Sequence, residues 1–187
     1  MADPSAAVLD LLVVRGTRQY DGEPVSQCEH ALQAAALAQT AGATPALIIA
    51  ALLHDIGSMI DPGSGGIPAG VDRRHEEVGA QWLTRWFPSE VVEPVRWHVA
   101  AKRYLCTVDA GYRAALSAAS EASLMLQGGP MAHSEVSAFE ARPFASDAVR
   151  LRRWDDMAKL RGVRTPALAD FLPLVRSLST AGRLTLV

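Results

Sequence analysis

The sequence is short of several things, and each shortage removes a class of function. It has two cysteines, Cys28 and Cys106, in 187 residues. Two isolated thiols build neither a disulfide framework nor a cysteine zinc site. Positive charge is not in surplus either. Eighteen Lys and Arg stand against 20 Asp and Glu, a formal net charge of -2, which offers no footprint for nucleic acid or an anionic membrane surface. A small anionic ligand would have to find local cations. Hydrophobic residues make up 49% of the chain, yet no apolar run reaches the roughly 20 residues of a membrane span. The opening Met-Ala-Asp-Pro lacks the basic start of a signal peptide. Aromatics are only 6%, so few rings are available to enclose a quaternary ammonium. A reduced, cytoplasmic setting and a small-molecule partner are expected. The length fits one domain, read here as 1–178, with 179–187 a loose tail.

What is present is helical. Ser5 is placed to cap a first helix ending at Gly16. Ser26, with Glu29 three residues on, has capping-box spacing and opens an alanine-rich helix that runs to Gly42. Thr44 and Pro45 start the next. Apolar residues recur at helical spacing from His75 to Trp86. After Pro88-Ser89-Glu90, Val91, Val95, His98 and Lys102 share one face. Helical patterns continue over 117–126, 135–141, 146–160 and 167–178. No convincing period-two run appears, so the expected class is all-α. Between Asp61 and Gly70 the Gly- and Pro-rich text can form nothing regular, and such a loop could cover a site.

One stretch organises the rest. From Ala46 to Leu53 every residue is apolar, and the run ends in His54-Asp55-Ile56-Gly57. Burying an imidazole and a carboxylate costs several kcal/mol unless something compensates. A bound cation would compensate both; the alternative is a hydrogen-bonded core histidine beside a salt-bridged aspartate. Gly57 is expected to let the chain leave the helix at positive φ.

His30, His75 and His98 also sit on expected helices beside apolar residues. The segment Arg150 to Lys159 adds Asp155, one turn from Arg152 and Lys159, whereas Asp156 points elsewhere. Four imidazoles and two carboxylates without a thiolate suit iron or another first-row divalent metal. Six ligands are too many for one metal with an open position. They divide naturally between two metals roughly 3.5–4 Å apart, bridged by a carboxylate, for which Asp55 is the candidate.

The order His30, His54-Asp55, His75, His98, Asp155 resembles that of the HD-domain superfamily, most of whose members are phosphohydrolases. Further strings resemble one branch, the mixed-valent di-iron oxygenases of phosphonate catabolism. These strings are Tyr20-Asp-Gly-Glu23-Pro-Val, Glu29-His30-Ala-Leu-Gln, His75-Glu-Glu-Val-Gly-Ala, His98-Val-Ala-Ala-Lys102-Arg-Tyr-Leu-Cys, Leu126-Gln-Gly-Gly-Pro-Met and Arg152-Arg-Trp-Asp155-Asp. The likeness runs from Tyr20 to about Lys159. It implies oxidative cleavage, with O2, of the C–P bond of a small 1-hydroxy-2-(amino or trimethylammonio)ethylphosphonate. The products would be glycine or glycine betaine plus phosphate, formed at a mixed-valent Fe(II)/Fe(III) pair. It further implies that one iron takes His30, His54, Asp55 and Asp155, while the other shares Asp55 and takes His75 and His98. Tyr20 would occupy the second iron until substrate displaces it. Glu23 would receive the substrate's ammonium, and Lys102, Ser120 and Arg152 would contact the phosphonate. Ser58 departs from the pattern, standing where a second histidine near the phosphonate is often found. The alternative is a metal-dependent phosphohydrolase of the HD type.

Overall fold

The computed structural model describes residues 4–20, 22–60 and 71–179. The expected covering loop, 61–70, and residues 180–187 of the expected tail lie outside the described residues. Helix α1 (Pro4–Leu9) runs on into a wider π-helical turn (Asp10–Arg15) before Gly16. Ser5 is therefore buried inside α1 rather than capping it, because Pro4, with no N–H to satisfy, already opens the helix.

The chain then folds back on itself. A single antiparallel bridge joins Gln19 to Ser26, and the Glu23 N–H donates to the Tyr20 carbonyl at 2.9 Å. Gly22 takes φ +75° in this turn, a conformation that costs glycine nothing. The turn projects Tyr20 and Glu23 from one small loop. Ser26 then caps α2 (Gln27–Thr40) with the full capping box, which sets His30 in the first turn.

Helix α3 (Pro45–Leu53) starts at Thr44, whose hydroxyl accepts from the Leu47 N–H at 3.3 Å. Its residues from Leu47 to Leu53 are all buried. After a tight step at His54 and Asp55 the chain re-enters a short helix, α4 (Ile56–Ile60). Gly57 lies inside it and has no positive φ, so the expected left-handed exit is corrected. The glycine is needed for space instead: a Cβ there would overlap the carbonyl oxygen of His75 and come within 2.7 Å of the Gly79 nitrogen.

Helix α5 (His75–Leu83) therefore packs backbone to backbone on α4. Helix α6 (Ser89–Val108) is the longest element, and its Val91, Val95, His98 and Lys102 are all buried. Then come α7 (Ala118–Leu126), α8 (His133–Glu140), α9 (Ala145–Met157) and α10 (Leu168–Leu178). Ser179, first residue of the expected tail, is the buried C-cap of α10. The main core joins α1 to α6, α9 and α10, and a smaller one lies between α6, α8 and α9. No strand occurs among the described residues, so the class is all-α. Nor is any helix among them long and apolar enough to cross a membrane.

Candidate metal centre

Four helices and one turn converge inside this core. Helix α2 brings His30, the turn after α3 brings His54 and Asp55, α5 brings His75, α6 brings His98 and α9 brings Asp155. Five of the six are 5% exposed or less, and the sixth, His75, is partly covered. The side chains fall into two groups, each close enough to hold a metal ion: His30, His54 and Asp155, and Asp55, His75 and His98. Asp55 spans them. Its Oδ2 lies 3.6 Å from His30 Nε2 and 3.5 Å from His54 Nε2. Its Oδ1 lies 3.2 Å from His75 Nε2 and 3.6 Å from His98 Nε2.

Hydrogen bonding at the far side of the rings fixes what points inward. The Nδ1 atoms of His30, His54 and His98 lie 2.8, 2.8 and 2.7 Å from the carbonyl oxygens of Ala158, Ala51 and Val95. A carbonyl only accepts, so each Nδ1 carries the hydrogen and Nε2 is the nitrogen left to present a lone pair. Those Nε2 atoms, joined by that of His75, crowd together: His30 and His54 Nε2 are 3.0 Å apart, His75 and His98 Nε2 3.2 Å. Asp55 Oδ2 and Asp155 Oδ1 are buried without a hydrogen-bond partner. Converging lone pairs and orphaned carboxylate oxygens are costly in a protein interior unless a cation lies among them. The donor set fits a metal.

The electrostatics of the carboxylates and of His54 agree, while the Asp155 and Asp55 charges outweigh burial at His30 and His75 and hold those imidazoles up. Burial alone would raise the Asp55 carboxyl, but the imidazoles of His54, His75 and His98 hold it well below the usual carboxylate range. Asp155 is treated likewise, with Arg152 the strongest neighbour pulling it down. Burial pushes His54 down to about 4, so its imidazole is neutral, as a metal ligand must be.

Around these groups lies a cavity of about 500 Å³. Tyr20, Glu23, Ser58, Lys102, Ser120 and Arg152, all singled out in the sequence, line it. The Tyr20 ring stacks on His30 with centroids 4.2 Å apart. Burial first, and then the Asp55 and Asp155 charges, push its phenol well above the ordinary value. Lys102 is 2% exposed and donates to Ser123 Oγ at 2.7 Å and the Ser120 carbonyl at 3.4 Å.

Arg152 is more occupied than its sequence position implied. Its Nη1 holds Asp155 Oδ2 at 2.7 Å, its Nε donates to the Tyr112 hydroxyl at 3.0 Å, and Nη2 binds Asp156. Asp156, which also accepts from Tyr112, thus fixes the guanidinium that orients Asp155. Two residues escaped the sequence reading: Tyr112, 40 positions before Arg152, and Lys159 as a wall of the cavity. Only their three-dimensional partners reveal them; the spacing of Lys159 one turn from Asp155 was visible, its actual contacts were not.

Comparison with known proteins gives a consistent picture. Residues 28–116 match the HD domain. Hydroxymethylphosphonate dioxygenase of Gimesia maris is 47% identical over 91% of this chain and 86% of its own. The glycine-betaine-forming [1-hydroxy-2-(trimethylamino)ethyl]phosphonate dioxygenase of Leisingera caerulea is 44% identical, over 87% and 83%. An uncharacterized protein of Acanthamoeba polyphaga mimivirus is 35% identical, over 82% and 71%.

Proposed function

This chain belongs to the family of HD-domain phosphonate dioxygenases, and from that premise we propose that it cleaves the C–P bond of a small 1-hydroxyalkylphosphonate with O2 at a mixed-valent di-iron site. The observation that carries the proposal is Asp55, which turns one carboxylate oxygen toward each imidazole pair. One iron would be held by His30, His54, Asp55 and Asp155, the other by Asp55, His75 and His98. A bound iron pair would supply the activation of O2, which is itself the oxidant of C1. No outside reductant is needed. With one O2 per C–P bond, carbon gains one oxygen and becomes a carboxylate, phosphorus gains the other and leaves as phosphate, and the four electrons balance.

The chain's own residues bind and orient. Lys102 and Arg152 present cationic donors to the phosphonate, and the Ser120 hydroxyl lies beside Arg152 at 3.4 Å. Arg152 also keeps Asp155 aligned, so its loss would disturb substrate and ligand together. Tyr20, whose ring stacks on His30, would occupy the second iron until a substrate displaces it. Ser58 adds a small hydroxyl to the wall and leaves room where a larger side chain would narrow it.

The deciding experiment is phosphate release from hydroxymethylphosphonate by the iron-loaded protein, with and without O2. Release is expected to stop under strict anaerobiosis; undiminished release, or anaerobic turnover of a phosphate ester, would identify a hydrolase instead.

Lys102 gives this reading a pH signature. Burial, with the Arg152 charge next, lowers its ammonium to about 8. The cation is present below that value and lost above it. The KM for a phosphonate should therefore rise as pH climbs through about 8. Lys102→Met should raise KM about tenfold or more, the worth of a charge-assisted hydrogen bond, and remove the rise. A wild-type KM that is flat between about pH 7 and 9 would exclude Lys102 from the phosphonate contact.

A further inference from the structure

Two buried polar residues stand on the alanine-rich α2: His30 and, three positions on, Gln33. That spacing puts them on one side of the helix. His30 faces the metal centre, whereas Gln33 does not line the cavity. The Gln33 amide, 5% exposed, closes a reciprocal pair with the main chain of Leu160. Its Nε2 donates to the Leu160 carbonyl at 2.8 Å, and its Oε1 accepts from the Leu160 N–H at 3.2 Å. Both main-chain groups of one residue are thereby satisfied by one side chain. The Leu160 side chain is 63% exposed, so the amide, not apolar packing, holds this point of the chain to α2.

The segment held there is the exit of α9. Two residues before Leu160, the Ala158 carbonyl oxygen lies 2.8 Å from His30 Nδ1, and the Ala158 N–H donates to the Asp155 carbonyl at 3.2 Å. Asp155 Oδ1 lies 3.3 Å from His30 Nε2. One short segment therefore bears on two ligands of the same candidate site. The other imidazoles with a carbonyl partner need no such help. His54 and His98 take theirs from Ala51 and Val95, three positions earlier in the chain, whereas His30 depends on one 128 positions away. We propose that Gln33 is a positioning residue for the site formed by His30, His54 and Asp155. By anchoring the exit of α9 it fixes the Ala158 carbonyl, which keeps the His30 hydrogen on Nδ1 and turns Nε2 toward Asp155. This rests on the iron-binding reading above.

The test is iron release from the full-length, iron-loaded protein. Dithionite and an excess of an iron(II) chelator are added, so that both irons leave in the same form. Gln33→Met keeps the length of the side chain and removes both hydrogen bonds. It should speed the release of one iron per chain by about 10- to 100-fold, the usual effect of losing a group that orients a metal ligand, and leave the other iron at the wild-type rate. His98→Ala identifies the phases, because it retains the His30, His54 and Asp155 group. Gln33→Asn, whose amide is one methylene too short to close the pair, carries the same expectation and serves if the first variant does not fold. Glu135→Ala removes the carboxylate that caps α8 and controls for lost stability: Tm should fall while both irons leave at the wild-type rate. Equal acceleration of both phases in the Gln33 variants, or the same selective acceleration in Glu135→Ala, would overturn the inference. Wild-type release from the Gln33 variants would remove the role of Gln33 alone, whereas a wild type that takes up no iron would overturn the metal reading along with it.

Discussion

Asp55→Ala should lower kcat/KM for the phosphonate by well over about a hundredfold and leave at most one iron per chain. The hundredfold floor follows from residues that merely orient metal ligands, whose loss already costs about 10- to 100-fold. Asp55 does more. Among the described residues it is the one side chain within 3.6 Å of the Nε2 atoms of His30, His54, His75 and His98. Its removal disconnects the two groups and leaves each with less negative charge to offset a cation. His98→Ala makes a useful contrast, because it subtracts from one group only; its iron content should fall toward one while the His30, His54 and Asp155 group still binds. Iron analysis per chain, with the electron paramagnetic resonance signal of a coupled Fe(II)/Fe(III) pair, reads both variants. Retention of two irons in Asp55→Ala would remove the bridge on which the mechanism stands.

The parts of this site that could be read in the sequence share one property: each is local or chemically expensive. His54 and Asp55 stood out because they end a wholly apolar helix, where neither belongs without a partner. His98 and Lys102 could be placed together because four residues separate them along one helical face. Ser26 and Glu29 announced a helix start through the spacing of a capping box. The structure brings all six expected ligand residues together, along with the expected lining of the cavity.

What the sequence hid was long-range pairing. Nothing in the spacing says that Lys159 reaches back to Glu23, or that Tyr112 and Asp156 hold Arg152. Those pairings follow from how α6 and α9 lie against each other and against the turn at Tyr20–Glu23, which periodicity does not encode. The π-helical turn after α1 was invisible for a similar reason, since six apolar or charged residues in a row carry no distinguishing period. Gly57 was noticed, but for the wrong physical reason. Glycine has two uses, positive φ and the absence of a Cβ, and sequence alone does not say which one a position exploits.

Gly57→Ala tests the second use, and its effect should be large. Helix α4 lies so close to α5 that the added methyl would overlap the His75 carbonyl oxygen, with Gly79 N at 2.7 Å and His75 C at 2.8 Å. These are backbone atoms, so no side-chain rotation can relieve the overlap. Gly79 on the facing helix is close but less tight, its own Cβ position lying 3.2 Å from the Gly57 nitrogen. The helices must separate, at a cost of about 3 kcal/mol, the upper range for overpacking. For a chain of this size that lowers Tm by about 6–12 °C. Because α5 carries His75, the separation also draws one imidazole away from Asp55 Oδ1, now 3.2 Å from it. Iron should be lost preferentially from the group formed by Asp55, His75 and His98, even at temperatures where the variant stays folded. Gly111→Ala is the control. A Cβ there meets nothing nearer than the Asp109 carboxylate at 3.8 Å, and the substitution restricts the unfolded chain, so Tm should hold or rise slightly. If Gly57→Ala melts with the wild type and keeps both irons, the close approach of α4 and α5 is not what holds His75 in place.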